Sequence, residues 1–422
     1  IPKRDWSSDV CSSDLVDMGG TTTDTAILRG GHVRTCAQGA SVGGWRTHVG
    51  ALDLRTLGLG GDSLIARDKE GQLCIGPLRV APVSWIYSDG SGDAQAMDWL
   101  AAHLDRFRPS TRGMELLART EGDRPDGLCE EERRVLDVLD EGPRCLDEIA
   151  QRLDARHWQF LPLERLEQRH LVQRSALTPT DVLHADGTLE LWNAEAARRF
   201  CGLFCRLLGV TESQLATIVH DQIVRRLATE LLKKQLADRV DGERLEDSAT
   251  ASTLVENWLA GGNEHYQVRI GLRYPIIGIG APVHFYLPDA APHLDCQAVI
   301  PTHADVPHAT GAIPSRLLIQ VKLEIVPGEN GRYRIAGLPD APSFGDFQRA
   351  QHHAVEALTR IVRQRARESG TEETRVEILI HDHVAPAAGG NLIFLGRDLT
   401  ARLAGRPTLR TGDSRFRRES PA

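Results

Sequence analysis

The sequence predicts an α/β fold, and three observations carry that prediction. Residues 16–28 alternate a short apolar strand, a glycine pair and a second apolar strand. Residues 194–209 and 212–238 have the spacing of two long amphipathic helices, the second opening on Thr211 and Gln214 in a capping-box pattern. Residues 274–279 form an apolar strand that stops at Gly278-Ile279-Gly280-Ala281-Pro282. A chain of 422 residues corresponds to roughly two to three domains.

The hairpin carries the chemistry. Val16-Asp17-Met18 ends a strand, Gly19-Gly20 turns tightly, and Thr25-Ala26-Ile27-Leu28 returns. Two glycines let the backbone approach a ligand and leave N–H groups free to point at it. The hydroxyls of Thr21, Thr22 and Thr23 are candidates for phosphate oxygens. Asp17 and Asp24 flank the turn as candidate catalytic carboxylates, with Asp17 placed to hold a hydrated Mg²⁺. The segment lacks the lysine of a Walker loop and does not open a helix. An ordinary polar β-turn is the plainer alternative. Two glycines, three threonines and two aspartates in eight residues argue against it.

Residues 17–24 resemble the second phosphate hairpin of the hydantoinase/oxoprolinase family (hydantoinase A-type), Asp-x-Gly-Gly-Thr-[Ser/Thr]-Thr-Asp. The resemblance implies an actin-like ATPase lobe of ribonuclease H-like fold, with ATP and Mg²⁺ as cofactors. Further blocks are similar to the family's. Gly58, Gly60, Gly61, Asp62 and Ser63 stand where the family has Gly-x-Gly-Gly-Gly-Ser, with Asp62 in place of the third glycine. Gly60, Gly61, Asp62 and Ser63 are the candidates to face a substrate, against an equally plain reading as a packed loop. The block Gly43 to His48 precedes them, and Thr178-Pro179-Thr180-Asp181 resembles the family's Thr-Val-Thr-Asp. Gly278, Gly280, Ala281 and Pro282 resemble the adenosine block, a weak signal without the hairpin. Val306 to Ile313 resembles the lobe-linking helix, in which Gly311 would permit close packing, while Pro307 and His308 depart from the pattern.

The remaining segments follow from composition and period. Residues 1–15 have neither helical nor strand period. Asp5 to Leu15 look like translated sequencing adapter, so 1–15 is expected to be an artefact and disordered. The lobe is then 16–92 with 176–314. Residues 93–175 are an insertion, starting with an amphipathic helix around Ala96, Met97, Trp99, Leu100 and Leu104. Its part 128–175 has three short helices and a strand, a winged-helix-like module. Eleven acidic residues there face eight arginines, a net of about −3, which argues against phosphate-backbone binding. Residues 315–422 suggest a ββαββ layer. His381-Asp382-His383 alternate on one strand there, a pattern that invites a metal but shows no third ligand. The last ten or so residues are expected to be disordered.

Net charge is −8, with no electrostatic case for nucleic acid or an anionic membrane. No apolar run nears the ~20 residues of a membrane span. Eight scattered cysteines fit a reduced, cytoplasmic protein. The resemblance implies an ATP-dependent hydrolase opening cyclic amides of the hydantoin or 5-oxoproline kind. Alternatives are a subunit of an ATP-dependent ketone carboxylase and a non-catalytic nucleotide-binding regulator. It also implies an upstream lobe with the first phosphate hairpin, and a hydantoinase B-type partner subunit.

Overall fold

The computed structural model describes residues 12–36, 41–42, 45–46, 51–68, 71–88, 95–107, 110–237, 248–312, 317–386 and 392–406. The chain divides into two units, 1–307 and 308–422. Residues 1–11, part of the Gly43–His48 block and the C-terminal tail lie outside the described residues.

The first unit is built on a mixed sheet whose central strand is Ser12–Met18. On one side it pairs antiparallel with Thr23–Arg29, and on the other parallel with Ile276–Ile279. Ala298–Val299 extends the sheet beyond Ile276–Ile279. His32–Val33 and Arg55–Leu57 extend it beyond Thr23–Arg29. Val16, Met18 and Ile276 are fully buried in the middle of this sheet.

Residues 12–15 correct an expectation. They are not disordered but form the first half of the central strand, with Ser13 and Asp14 buried. Their backbone groups pair with Leu28, Ile27 and Ala26 on one side and with Ile276 and Ile277 on the other. Asp14 accepts a 2.6 Å bond from Gln235 Nε2, and burial raises its pKa above the ordinary carboxylate value. A polar composition without period does not prevent strand formation when both neighbours supply a ladder.

The long helices are Ala194–Leu208 and Glu212–Leu236. Gly209 ends the first in the left-handed conformation, and the Thr211–Gln214 capping box starts the second. Their inward faces, including Phe200, Phe204, Val219, Ile223 and Leu227, join the core under the sheet.

The expected insertion is only partly separate. The helix Gln95–Ala102 buries Ala96, Met97 and Leu100 in that same main core, together with Phe107, Met114 and Leu116. A distinct core begins at Leu117 and gathers Val135, Leu136, Leu146, Ile149, Leu166 and Val172. Its helices are Glu130–Leu139, Leu146–Arg152 and Leu163–Gln168. Its strands Leu116–Arg119, Arg144–Cys145 and Val172–Ala176 differ from a winged helix, since one precedes all three helices. Val172–Ala176 also pairs with Ala81–Pro82, which ties the module to the first unit. Arg119, Arg124, Arg144, Arg152, Arg165 and Arg174 are held in ion pairs with acids of the same region.

The second unit carries a five-stranded antiparallel sheet with the long helix Phe347–Glu368 packed on it. Strand order is Ser343–Phe344, Tyr333–Ala336, Leu317–Pro327, Leu392–Gly405 and Glu377–Pro386. The helix Phe347–Glu368 starts on Asp346, whose side chain accepts from Arg349 N at 2.8 Å. Ala350, Ala354, Leu358 and Val362 pack on Leu323, Ile325, Leu399 and Leu403. The short strand Ser343–Phe344 is an addition to the expected ββαββ order.

Candidate functional site

The turn of the central hairpin is short. Gly19 N donates to Thr22 O at 2.9 Å, and Met18 pairs with Thr23. Asp17 and Asp24 are direct cross-strand partners, so their side chains share one face of the sheet. Directly opposed like charges destabilise a strand pair. A divalent cation relieves that repulsion, so this donor pair fits Mg²⁺. Thr56 Oγ1 donates to Asp24 Oδ1 and orients it.

The glycine loop docks on this turn by its backbone. Gly61 N donates to Gly19 O at 3.1 Å, and Asp62 N donates to Gly20 O at 2.7 Å. Both turn carbonyls are thereby directed away from any incoming anion. A side chain at Gly60 would collide with the carbonyl oxygens of Gly19 and Gly20. A side chain at Gly20 would collide with the Asp62 carboxylate. Gly60 N donates to Ser63 Oγ at 2.9 Å. Thr180 Oγ1 and Thr180 N both donate to Gly61 O, at 2.8 and 3.0 Å.

The strand end joins from the other side. Asp17 lies opposite Ile279 in the parallel ladder, so Gly280 abuts the turn directly, rather than across a cleft. Gly280 N donates to Ala304 O at 2.6 Å, and its φ of +95° suits glycine. A Cβ on Gly280 would strike Met18 O, and one on Gly278 would strike Leu287 and Val283.

These contacts redistribute the expected roles. The Thr23 hydroxyl is buried and donates to Leu59 O at 2.7 Å, so it fastens the loop instead of meeting a phosphate. Gly60, Gly61 and Ser63 are buried packing positions, not substrate-facing ones. Gly278 and Gly280 are required by Leu287 and by Met18 on their Cβ sides, rather than as bare backbone for adenosine. Gly311 sits in the short helix Pro307–Ala312, and among the described residues a Cβ there meets nothing within 4 Å, unlike the close packing expected of it. Thr21 is exposed, and Gly19, Gly20, Thr22, Asp17 and Asp24 are half-buried at the turn. Ala281 is exposed at the adjoining strand end, with Pro282 half-buried.

Two residues of this region were not expected. Arg79 Nε and Nη2 donate to Asp62 Oδ2 at 3.2 and 3.1 Å, so the residue replacing the family's third glycine carries a guanidinium to the turn. The sequence signal was the departure at Asp62 itself. Asp181 is fully buried and accepts from Val83 N, Ser84 N, Ser84 Oγ, Thr178 N and Thr178 Oγ1 at 2.8–3.0 Å. Burial raises its pKa, against these donors. It joins the start of the Val83–Ile86 helix to that of Pro179–Ala185, placing Thr180 on Gly61.

In the second unit His383 Nε2 meets Asp398 Oδ2 at 2.8 Å, and Asp382 is paired with Arg397. Among the described residues no group of three or more His, Cys, Asp or Glu is arranged to hold a metal ion. No helix among them is long and apolar enough to cross a membrane.

Residues 12–95 match the family model described as hydantoinase/oxoprolinase. None of the curated proteins matches. A solved nucleotide-free structure of acetone carboxylase, titled for the mechanism of ATP-dependent acetone carboxylation, aligns with a TM-score of 0.46 and 11% identity. The alignment covers 94% of this chain and 47% of that one, so this chain spans about half the length of that structure. Likeness at this level fixes neither activity nor substrate.

Proposed function

We propose, from a chain that carries hydantoinase/oxoprolinase sequence over residues 12–95, that it is the hairpin-bearing part of an ATP-dependent hydrolase acting on cyclic amide C–N bonds. The observation that supports this most is the convergence on one turn. Asp17 and Asp24 stand opposed beside Gly19-Gly20, and the loop 60–62 and the strand end at Gly280 are both fastened to it. Backbone N–H groups at such a turn cradle phosphate oxygens. Asp17 would hold a hydrated Mg²⁺, with Asp24, oriented by Thr56, beside it as a second carboxylate. When bound, ATP supplies the phosphoryl group that turns an amide oxygen into a leaving group, with Mg²⁺ neutralising phosphate charge. The protein's own contribution is position and fixed dipoles. We place it in the cytoplasm, working with an upstream lobe and a hydantoinase B-type subunit; the described cysteines are free thiols.

The test is phosphate release from Mg-ATP by the chain joined to an authentic upstream lobe, with 5-oxoproline, hydantoin, or acetone plus bicarbonate. The reading expects stimulation by a cyclic amide and its loss in Asp17→Ala with folding intact. Stimulation by the ketone alone identifies a carboxylase subunit. ATP turnover unchanged in Asp17→Ala removes the hairpin from the reaction.

A further inference from the structure

We propose that Arg79 is the phosphate-binding cation of the turn, restrained by Asp62 until a polyphosphate displaces that carboxylate. The inference rests on the reading of residues 17–24 as a phosphate turn. That segment contains two carboxylates and neither lysine nor arginine. With Asp62 against Gly20, the named side chains at the turn are three carboxylates and one guanidinium. An anion entering there needs a cation supplied by a neighbouring segment.

Arg79 meets that need by geometry. It pairs with Ser63 in the strand register, and Val80 N donates to Asp62 O at 3.0 Å, so its backbone is fixed beside the loop that docks on the turn. Both of its donors go to a single oxygen, Asp62 Oδ2, which leaves the fork short of the two-oxygen partner that suits a guanidinium. The Arg79 side chain is 61% exposed whereas that of Asp62 is 16% exposed, so the guanidinium is the partner an incoming anion can reach. A phosphate offers two non-bridging oxygens to that fork, where Asp62 engages it through one. Asp62 then acts as a competitor built into the loop, at the one position where the chain departs from the family's glycine.

The competition predicts opposite signs, which a merely structural ion pair would not produce. The full chain is titrated with Mg-pyrophosphate, Mg-ATP and adenosine by calorimetry, at low and high KCl. Arg79→Ala should weaken pyrophosphate and ATP roughly tenfold and leave adenosine unchanged. Arg79→Lys should recover part of the loss as a point charge. Asp62→Asn should tighten both phosphates severalfold, with the gain shrinking at high salt. Thermal melts check that each variant folds. If the wild type binds pyrophosphate while Arg79→Ala stays within twofold of it, or if both variants weaken binding alike, Arg79 has no such role and the phosphate turn stands. If the wild type binds adenosine but neither phosphate ligand, the phosphate-turn reading fails and this inference with it.

Discussion

Asp17 and His383 each stand on a strand beside another titratable residue, yet the two regions differ in what surrounds them. Around Asp17, three segments distant in sequence meet through backbone hydrogen bonds and missing side chains. Around His383, two side chains have cross-strand partners: His383 with Asp398, and Asp382 with Arg397. The first arrangement is built from backbone that added side chains would obstruct. The second is built from side-chain pairs across two neighbouring strands. A suggestive triplet of residue types is therefore weaker evidence for a site than convergent backbone with buried glycines.

The largest test of that contrast is steric. Gly60→Val forces a branched side chain onto the carbonyls of Gly19 and Gly20, and Gly280→Ala adds a Cβ at φ +95° against Met18 O. Each should cost about 3 kcal/mol or more in urea unfolding. Gly311→Ala, with open space at its Cβ, should be neutral or stabilising by about 0.5 kcal/mol. Equal tolerance at the three positions would break the comparison.

Asp181 should rank next. Asp181→Ala strands buried donors from Val83, Ser84 and Thr178 and should destabilise by about 3 kcal/mol, measured by chemical denaturation. Asp181→Asn keeps one acceptor oxygen and should lose less. Because Thr180 is carried by the same helix start, the alanine variant should also weaken whatever the turn binds.

Acid response should separate the two regions by sign. Burial raises the Asp14 pKa above 3.8, so its folded form holds a proton more readily than the unfolded chain. The stability advantage of wild type over Asp14→Asn should therefore be greatest below about pH 4 and decline as pH rises through the raised value. Asp382 is lowered from 3.8 by its bond to Arg397. Its advantage over Asp382→Asn should be present above that pH and fade as pH falls through the lowered value. Urea midpoints at pH 3, 5 and 7 read both slopes; parallel slopes would contradict the assignment.

The smallest effect should be His381→Ala, on an exposed strand position, within about 0.5 kcal/mol of wild type. Calorimetric titration with Zn²⁺ should give the same trace before and after the change.

Local chemistry is legible along the chain. The helix expected over 194–209 is Ala194–Leu208, and the Thr211–Gln214 cap starts the next, because capping and apolar spacing are settled within a few residues. The strands flanking Gly19-Gly20 were legible for the same reason. What lay beyond reach was long-range. Nothing near Gly280 reveals that Met18 O fills the space of its missing side chain, and nothing near Thr23 reveals that Leu59 takes its hydroxyl. Residues 12–15 look structureless until Ile276–Ile279 and Thr23–Arg29 supply ladders on both edges. Ser343–Phe344 is too short to carry a period. Residue types and spacing singled out residues 17–24 as a candidate phosphate turn. Only the tertiary structure decided which glycines serve packing, because a strand's partner and the occupant of a glycine's empty side are set by atoms outside the local sequence.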